Sequence, residues 1–70
     1  MVGKIIHPEL GAIELARKNS SNDGFIVLAV IPKKGEFVTW WISSREDVMV
    51  CGHYTLTLKD AFADFNDRDC

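Results

Sequence analysis

Seven consecutive apolar residues, positions 25–31, set the first condition on how this chain folds. Successive side chains of a β-strand point to opposite faces of its sheet, so an apolar run without alternation predicts a strand covered on both faces. We predict this strand over residues 24–31. It follows a polar loop at residues 19–24, whose Asn, Ser, Asp and Gly residues are typical of turns.

Two further strands are predicted over residues 36–43 and 48–54, which are rich in β-branched and aromatic side chains. The turns that separate the three strands, at residues 32–35 and 44–47, are short. Short turns join antiparallel neighbours, so we expect a meander with the strand 36–43 in its centre and the strand 24–31 at one edge.

Helices are predicted on both sides of the meander. Residues 8–18 favour one because Pro8 suits a first helical turn and because Arg17 and Lys18 suit a last one, although Gly11 costs about 1 kcal/mol there. Residues 2–6 are read as a short added strand or an extended arm. The fold class that we predict for the single domain 1–70 is therefore α+β, a three-stranded antiparallel meander flanked by an N-terminal and a C-terminal helix (α-β-β-β-α).

The C-terminal helix has the clearest signals. Thr57 is its predicted N-cap, with Asp60 three residues later as in a capping box. The apolar residues recur at i, i+3, i+4 and i+7: Leu58, Ala61, Phe62 and Phe65. We expect the face that contains Leu58, Phe62 and Phe65 to be buried on the sheet.

Alternation divides the strand 36–43 into two sets of side chains. The apolar set is Val38, Trp40 and Ile42, which we expect to meet the C-terminal helix. The mixed set is Phe37, Thr39, Trp41 and Ser43. Either the N-terminal helix covers this mixed set, or it is a contact surface for a second subunit or another protein, since exposed aromatic patches mark binding sites.

The charge distribution gives a second candidate surface. The net charge is −2, and residues 37–70 hold six acidic residues against three Lys or Arg. Asp60, Asp64 and Asp67 share one flank of the C-terminal helix, which is either a solvated surface or a contact for a basic partner. Acidic surfaces repel phosphate backbones, so nucleic-acid binding is the less favoured alternative. It would use Lys33, Lys34, Arg45 and the sheet aromatics.

The side chains that could support chemistry do not form a known motif. His7, Cys51, His53 and Cys70 lack the paired spacing of structural zinc sites, so we expect no metal and no cofactor. Cys51 and His53 lie on one strand face about 6–7 Å apart, which is too far for a nucleophile and its base. We therefore expect a protein that is not an enzyme.

The expected location is the cytoplasm. The first eight residues do not have the pattern of a secretory signal, and no apolar segment reaches the roughly 20 residues of a membrane-spanning helix. Thiols stay reduced in the cytoplasm, so we do not expect Cys51 and Cys70 to form a disulfide.

Several of these residues also form a pattern: Val38-Thr39-Trp40, then Gly52-His53-Tyr54, then Ala61, Asp64-Phe65 and Arg68. The pattern resembles small uncharacterised bacterial and phage proteins with a V-T-W … G-H-Y … A-x-x-D-F-x-x-R layout. The resemblance implies a strand pair followed by a helix and implies no activity. An origin in a phage or mobile element would favour proteins that act by binding a host macromolecule.

The sequence thus predicts a small non-enzymatic protein-interaction or regulatory module. The residues expected to bind the protein partner are Phe37, Thr39, Trp41, Asp60, Asp64 and Asp67. Self-association is the alternative use of the same surfaces, because small domains often complete their core with a second subunit.

Overall fold

The computed structural model describes residues 5–21, 23–45 and 48–68. Within these residues the elements, in chain order, are β1 (Ile5–His7), β2 (Ala12–Ser20), β3 (Gly24–Ile31), β4 (Glu36–Ser43), β5 (Met49–Thr55) and α1 (Leu58–Asp67). The strands form one antiparallel sheet in the order β1-β2-β3-β4-β5. This sheet curls into a half-barrel, and α1 packs on one of its faces.

The predicted three-stranded meander flanked by two helices is therefore wrong. Residues 8–11 form a turn, in which the amide of Gly11 (φ 69°) donates to the carbonyl oxygen of His7 at 2.9 Å. The chain then continues as β2 and pairs with β3. Pairing satisfies the backbone groups of an otherwise exposed strand edge, and this gain outweighs the helix propensity of residues 12–18.

Strand β3 is the centre of the sheet and not its edge. Its residues Ile26, Val27, Leu28 and Ala29 are all completely buried. Coverage of both faces, which the uninterrupted apolar run predicted, is thus confirmed. The edge position was wrong because it assumed that residues 8–18 were helical, which left no strand to pair with the outer side of β3.

The two faces of the sheet carry separate apolar cores. The core on the helix face consists of Ile26, Leu28, Ala61 and Phe65, with Leu15, Ala16, Phe37 and Trp41 packed against it. The core on the opposite face consists of Ala12, Val27, Ala29, Ile31, Val38, Trp40 and Ile42, with Ile6, Leu10, Phe25 and Met49 packed against it.

The two sets of β4 side chains point to the opposite faces of the sheet from those predicted. Val38, Trp40 and Ile42 point away from α1, whereas Phe37 and Trp41 point towards it. Thr39, the polar residue between Phe37 and Trp41, had suggested that this set of side chains faces solvent. Its hydroxyl is buried instead, and α1 and its C-cap residue provide its hydrogen-bond partners.

Gly24 is required where β3 passes beneath Trp41. A Cβ at this position would overlap the carbonyl oxygen of Ile42 and would lie 2.7 Å from the Trp41 indole. We expect Gly24→Ala to lower the free energy of unfolding by about 3 kcal/mol, measured by urea denaturation, because overpacking displaces the backbone.

Gly35→Ala is the matched control. Gly35 has a φ of 65°, and a Cβ added there would meet no atom within 4 Å. We expect the substitution to cost at most about 1 kcal/mol, because the strain of a left-handed alanine is partly offset by a less flexible unfolded chain. Equal costs for the two variants would contradict the close packing of Gly24 against β4.

No helix in residues 5–21, 23–45 and 48–68 combines the length and the apolar character needed to cross a membrane.

Candidate functional site

A polar network joins α1 to the two strands beneath it. The hydroxyl of Thr39 on β4 donates to Asp64 Oδ2 on α1 at 2.5 Å. His53 on β5 places Nδ1 3.0 Å from the same carboxylate oxygen and 3.1 Å from Oδ1. Thr39 and His53 are register partners, so both side chains point to the helix face. One carboxylate thus links the helix to two strands.

Arg68 closes this network at the end of the helix. Its backbone N–H caps α1 by donating to the carbonyl oxygen of Asp64 at 3.0 Å. Its Nη1 donates to the carbonyl oxygen of Thr39 at 3.0 Å and to the Thr39 hydroxyl at 2.9 Å. The residue is only 7% exposed, and its Nε and Nη2 are buried without a hydrogen-bond partner.

Among the residues that the structure describes, Glu14 and Asp64 have a carboxyl pKa below the ordinary value. Burial alone would raise the pKa of Asp64, but the hydrogen bonds from Thr39 and His53 and the charge of Arg68 outweigh it, so the pKa is lowered. Burial would likewise raise the pKa of Glu14, but the hydrogen bonds and the charge of Arg17 contribute to a net lowering. Arg17 Nη2 lies 2.7 Å from Glu14 Oε1, and Glu14 is 1% exposed.

Stability is therefore expected to fall in acid. A carboxyl group whose pKa is lower in the folded state than in the unfolded state stabilises the fold above the unfolded pKa of about 4. That contribution is lost as the pH falls through the folded-state pKa of Asp64. We expect the free energy of unfolding to decline below about pH 4, and to decline less steeply in Asp64→Asn, in urea titrations between pH 7 and pH 2.

Asp67→Asn is the control for this measurement, because Asp67 is an exposed carboxylate at the end of the same helix. Identical pH profiles for Asp64→Asn and the unaltered protein would show that the Asp64 network does not contribute to stability. Residual acid sensitivity in Asp64→Asn is expected from Glu14.

Apolar side chains on the outer side of α1 form the second feature of interest. Leu56, in the loop before the helix, is 76% exposed, and Leu58 and Phe62 are each 42% exposed. We call these three residues the apolar patch. Leu58 and Phe62 are four residues apart on α1, which puts them on one side of the helix. The Phe62 ring meets the buried Phe65 ring edge to face, with the ring centroids 6.3 Å apart.

The sequence placed Leu58, Phe62 and Phe65 together on the buried face, but only Phe65 is buried, at 7% exposure. Helical periodicity finds the apolar side of a helix, but it does not find the line along which the helix touches the sheet. That line runs through Ala61 and Phe65, which are buried, and continues to Arg68. The apolar patch is therefore left at the side of the contact, and no local sequence signal distinguishes it from the buried side.

The structure brings together two of the residues that the sequence predicted as a binding site, since Thr39 donates a hydrogen bond to Asp64. Phe37, Thr39 and Trp41 lie beneath α1, where Thr39 is 1% exposed and the other two are partly buried against the core. Asp60 and Asp67 are exposed on the helix, whereas Asp64 is turned towards the sheet. Of the six predicted residues, Asp60 and Asp67 are thus the exposed ones.

The residues of the nucleic-acid alternative are not brought together either. Lys33 and Lys34 lie in the turn before β4, and Arg45 lies in the turn after it. Eight residues of strand separate these turns, or about 26 Å. Phe37 and Trp41 belong to the helix face, while Tyr54 packs edge to face against Trp40 on the opposite face.

Strand β5 contains a β-bulge, which agrees with the reading of Gly52 in the sequence as a bulge or a close backbone approach. The register passes from Thr39↔His53 to Trp41↔Val50, so that Cys51 and Gly52 both stand opposite Trp40. Cys51, with a φ of 59°, is an exposed free thiol. The bulge interrupts the alternation that had placed Cys51 and His53 on one face. In the part of the chain that the structure describes, no group of three His, Cys, Asp or Glu residues could hold a metal ion.

No protein-family model, curated protein or solved structure matches this chain.

Proposed function

We propose that this protein is a non-enzymatic protein-binding module that docks an amphipathic, basic helical segment of its partner on the apolar patch. The observation that carries the proposal is the exposure of Leu58 and Phe62 on one side of a helix whose inner side is already buried on the sheet, with Leu56 exposed in the loop just before that helix. Single exposed apolar residues are ordinary on protein surfaces, but a contiguous patch marks a contact site.

The geometry of the patch favours a helix over an extended strand as the bound segment. Leu58 and Phe62 offer apolar anchors at i and i+4, which suit the face of another helix. The sheet edges are poor templates for strand addition: β1 has three residues in the part of the chain that the structure describes, and the bulge at Cys51 and Gly52 breaks the outer strand β5.

The net charge of the chain favours a basic partner. Asp60 and Asp67 are exposed on α1, on the side of the helix away from the patch, and outnumber the exposed Lys59, whereas Asp64 and Arg68 are paired beneath the helix. A second copy of this chain would carry the same net charge of −2 and would be repelled. A partner helix with lysine or arginine beside its apolar face avoids that repulsion.

The test uses a synthetic helical peptide of about 15 residues, roughly four turns, with leucines on one face and lysines beside them. Binding is followed by fluorescence anisotropy of the labelled peptide. We expect saturable binding that weakens with added salt, and at least about tenfold weaker binding by Phe62→Gln, because a buried aromatic anchor dominates such contacts.

Val48→Gln is the matched control, since Val48 is 47% exposed in the segment before β5 and lies outside the patch. Its affinity should equal that of the unaltered protein. A second peptide with glutamate in place of lysine should bind more weakly. Equal binding of both peptides, an effect of Val48→Gln as large as that of Phe62→Gln, or concentration-dependent dimers of the chain alone that block the peptide would each contradict the proposal.

A further inference from the structure

The two ring nitrogens of His53 have different surroundings. Nδ1 lies 3.0 Å from Asp64 Oδ2 and 3.1 Å from Asp64 Oδ1. A carboxylate only accepts hydrogen bonds, so the neutral ring carries its proton on Nδ1 and its lone pair on Nε2. Nε2 is the ring nitrogen farther from the backbone, and the His53 side chain is 52% exposed. His53 therefore offers one defined nitrogen as a nucleophile.

The carboxylate that orients His53 is itself held from two sides. The Thr39 hydroxyl donates to Asp64 Oδ2 at 2.5 Å, and Arg68 Nη1 lies 3.9 Å from the same oxygen. The Asp64 side chain is only 29% exposed. An imidazole whose N–H is bound to a fixed carboxylate has a set orientation, and its other nitrogen is more basic and more nucleophilic.

The second histidine of the chain is placed differently. His7 lies on the opposite face of the sheet, where its ring stacks on Trp40 with the ring centroids 5.8 Å apart and the planes inclined by 19°. Its Nδ1 is buried. A ring packed on an indole is less open to an incoming electrophile, so His7 is an internal control for the reactivity of His53.

The surroundings of His53 suit a covalent adduct better than a metal ion. A metal site requires several ligands, and within residues 5–21, 23–45 and 48–68 no group of three His, Cys, Asp or Glu side chains could provide them. A covalent adduct requires one nucleophile. Attack by Nε2 on an electrophile places a positive charge on the ring, and the carboxylate of Asp64 is positioned to stabilise that charge.

We infer that His53 is a phosphorylation site, at which Nε2 accepts the phosphoryl group of a small acyl phosphate. The lone pair of Nε2 attacks phosphorus and forms the N–P bond, while the P–O bond to the acyl group breaks and the carboxylate leaves with its electron pair. The ring keeps the proton on Nδ1 and pairs with Asp64. The negative phosphoryl oxygens also balance the positive ring, which a transferred acyl group would not do. This site is separate from the apolar patch and does not depend on the proposed function.

The test is incubation of the intact, ¹⁵N-labelled protein with acetyl phosphate. Mass spectrometry distinguishes phosphorylation from acetylation, and ³¹P and ¹⁵N NMR assign the product to a residue and to a ring nitrogen. We expect phosphorylation of His53 on Nε2 at least about tenfold faster than that of N-acetylhistidine methylamide, and faster than that of His7. The inference is overturned if His53 reacts no faster than the methylamide or than His7, if it is acetylated, or if Nδ1 is the modified nitrogen.

Asp64→Asn tests whether the carboxylate positions the ring. We expect a rate about tenfold lower and a product on both ring nitrogens, which a loss of stability alone would not produce. Asp67→Asn removes an exposed carboxylate from the same helix and should react like the unaltered protein. Equal rates for Asp64→Asn and the unaltered protein would contradict the inference. Circular dichroism shows whether Asp64→Asn is folded, and if it is not, the comparison of His53 with the methylamide decides the question.

Discussion

Truncation of Leu28 to alanine is expected to remove a large part of the stability of the chain at 25 °C. Leu28 is completely buried in the central strand and packs in the core beneath α1. Leu→Ala at such a site costs about 2–5 kcal/mol, because apolar contacts are lost and a cavity remains. A chain of 70 residues has a total stability of about 5 kcal/mol or less without staples, so this loss is a large part of it.

Leu56→Ala makes the same chemical change at a position that is 76% exposed. It should change the free energy of unfolding by no more than about 0.5 kcal/mol, as surface substitutions usually do. Chemical denaturation followed by circular dichroism measures both variants. A cost for Leu56→Ala close to that for Leu28→Ala would show that the loop before α1 is packed against the sheet.

Truncation of Phe65 to alanine should cost about 3–5 kcal/mol. Its ring is 7% exposed and joins α1 to Ile26 and Leu28 in the core on the helix face. The loss also removes the contact of Lys18 with the ring, so β2 and α1 are both less firmly held. We expect denaturation at a much lower urea concentration, with loss of the helical signal.

Phe62→Ala is the paired control in the same helix. Phe62 is 42% exposed, so its truncation should cost about 1–2 kcal/mol, roughly half of the value for a buried ring. If the two variants lose equal stability, both rings are core residues and the apolar patch is not a free surface. If Phe62→Ala costs more than Phe65→Ala, α1 is rotated about its axis relative to this structure.

The sequence predicted elements well where one local signal was sufficient. Strands β3 and β4 have the predicted bounds, and the helix is capped as predicted, since Asp60 N–H donates to Thr57 Oγ1 at 3.1 Å. Each of these elements combines residues of strong strand or helix propensity with turn or capping residues at its ends. These signals act over a few residues and do not depend on what the element packs against.

The predictions from the sequence were wrong where contacts between residues far apart in the chain determine the structure. Residues 12–18 have mixed helix and strand propensities. They form a strand because they pair with the edge of β3 that β4 does not occupy. Thr39 looked like a surface residue because its partners, Asp64 and Arg68, are 25 and 29 positions away in the chain. The apolar patch depends on the rotation of α1 about its own axis, which periodicity does not determine.

The most direct test of the binding surface is ¹⁹F NMR of the protein with para-fluorophenylalanine at its four phenylalanine positions. The change in chemical shift between H₂O and D₂O reports whether each fluorine meets solvent. We expect a clear solvent shift at Phe62 and little at Phe65, and we expect the basic peptide to abolish the Phe62 shift while leaving Phe65 unchanged. A Phe62 fluorine that is shielded before the peptide is added, or that stays in contact with solvent when the peptide is bound, would contradict the proposal that this side of α1 is the binding surface.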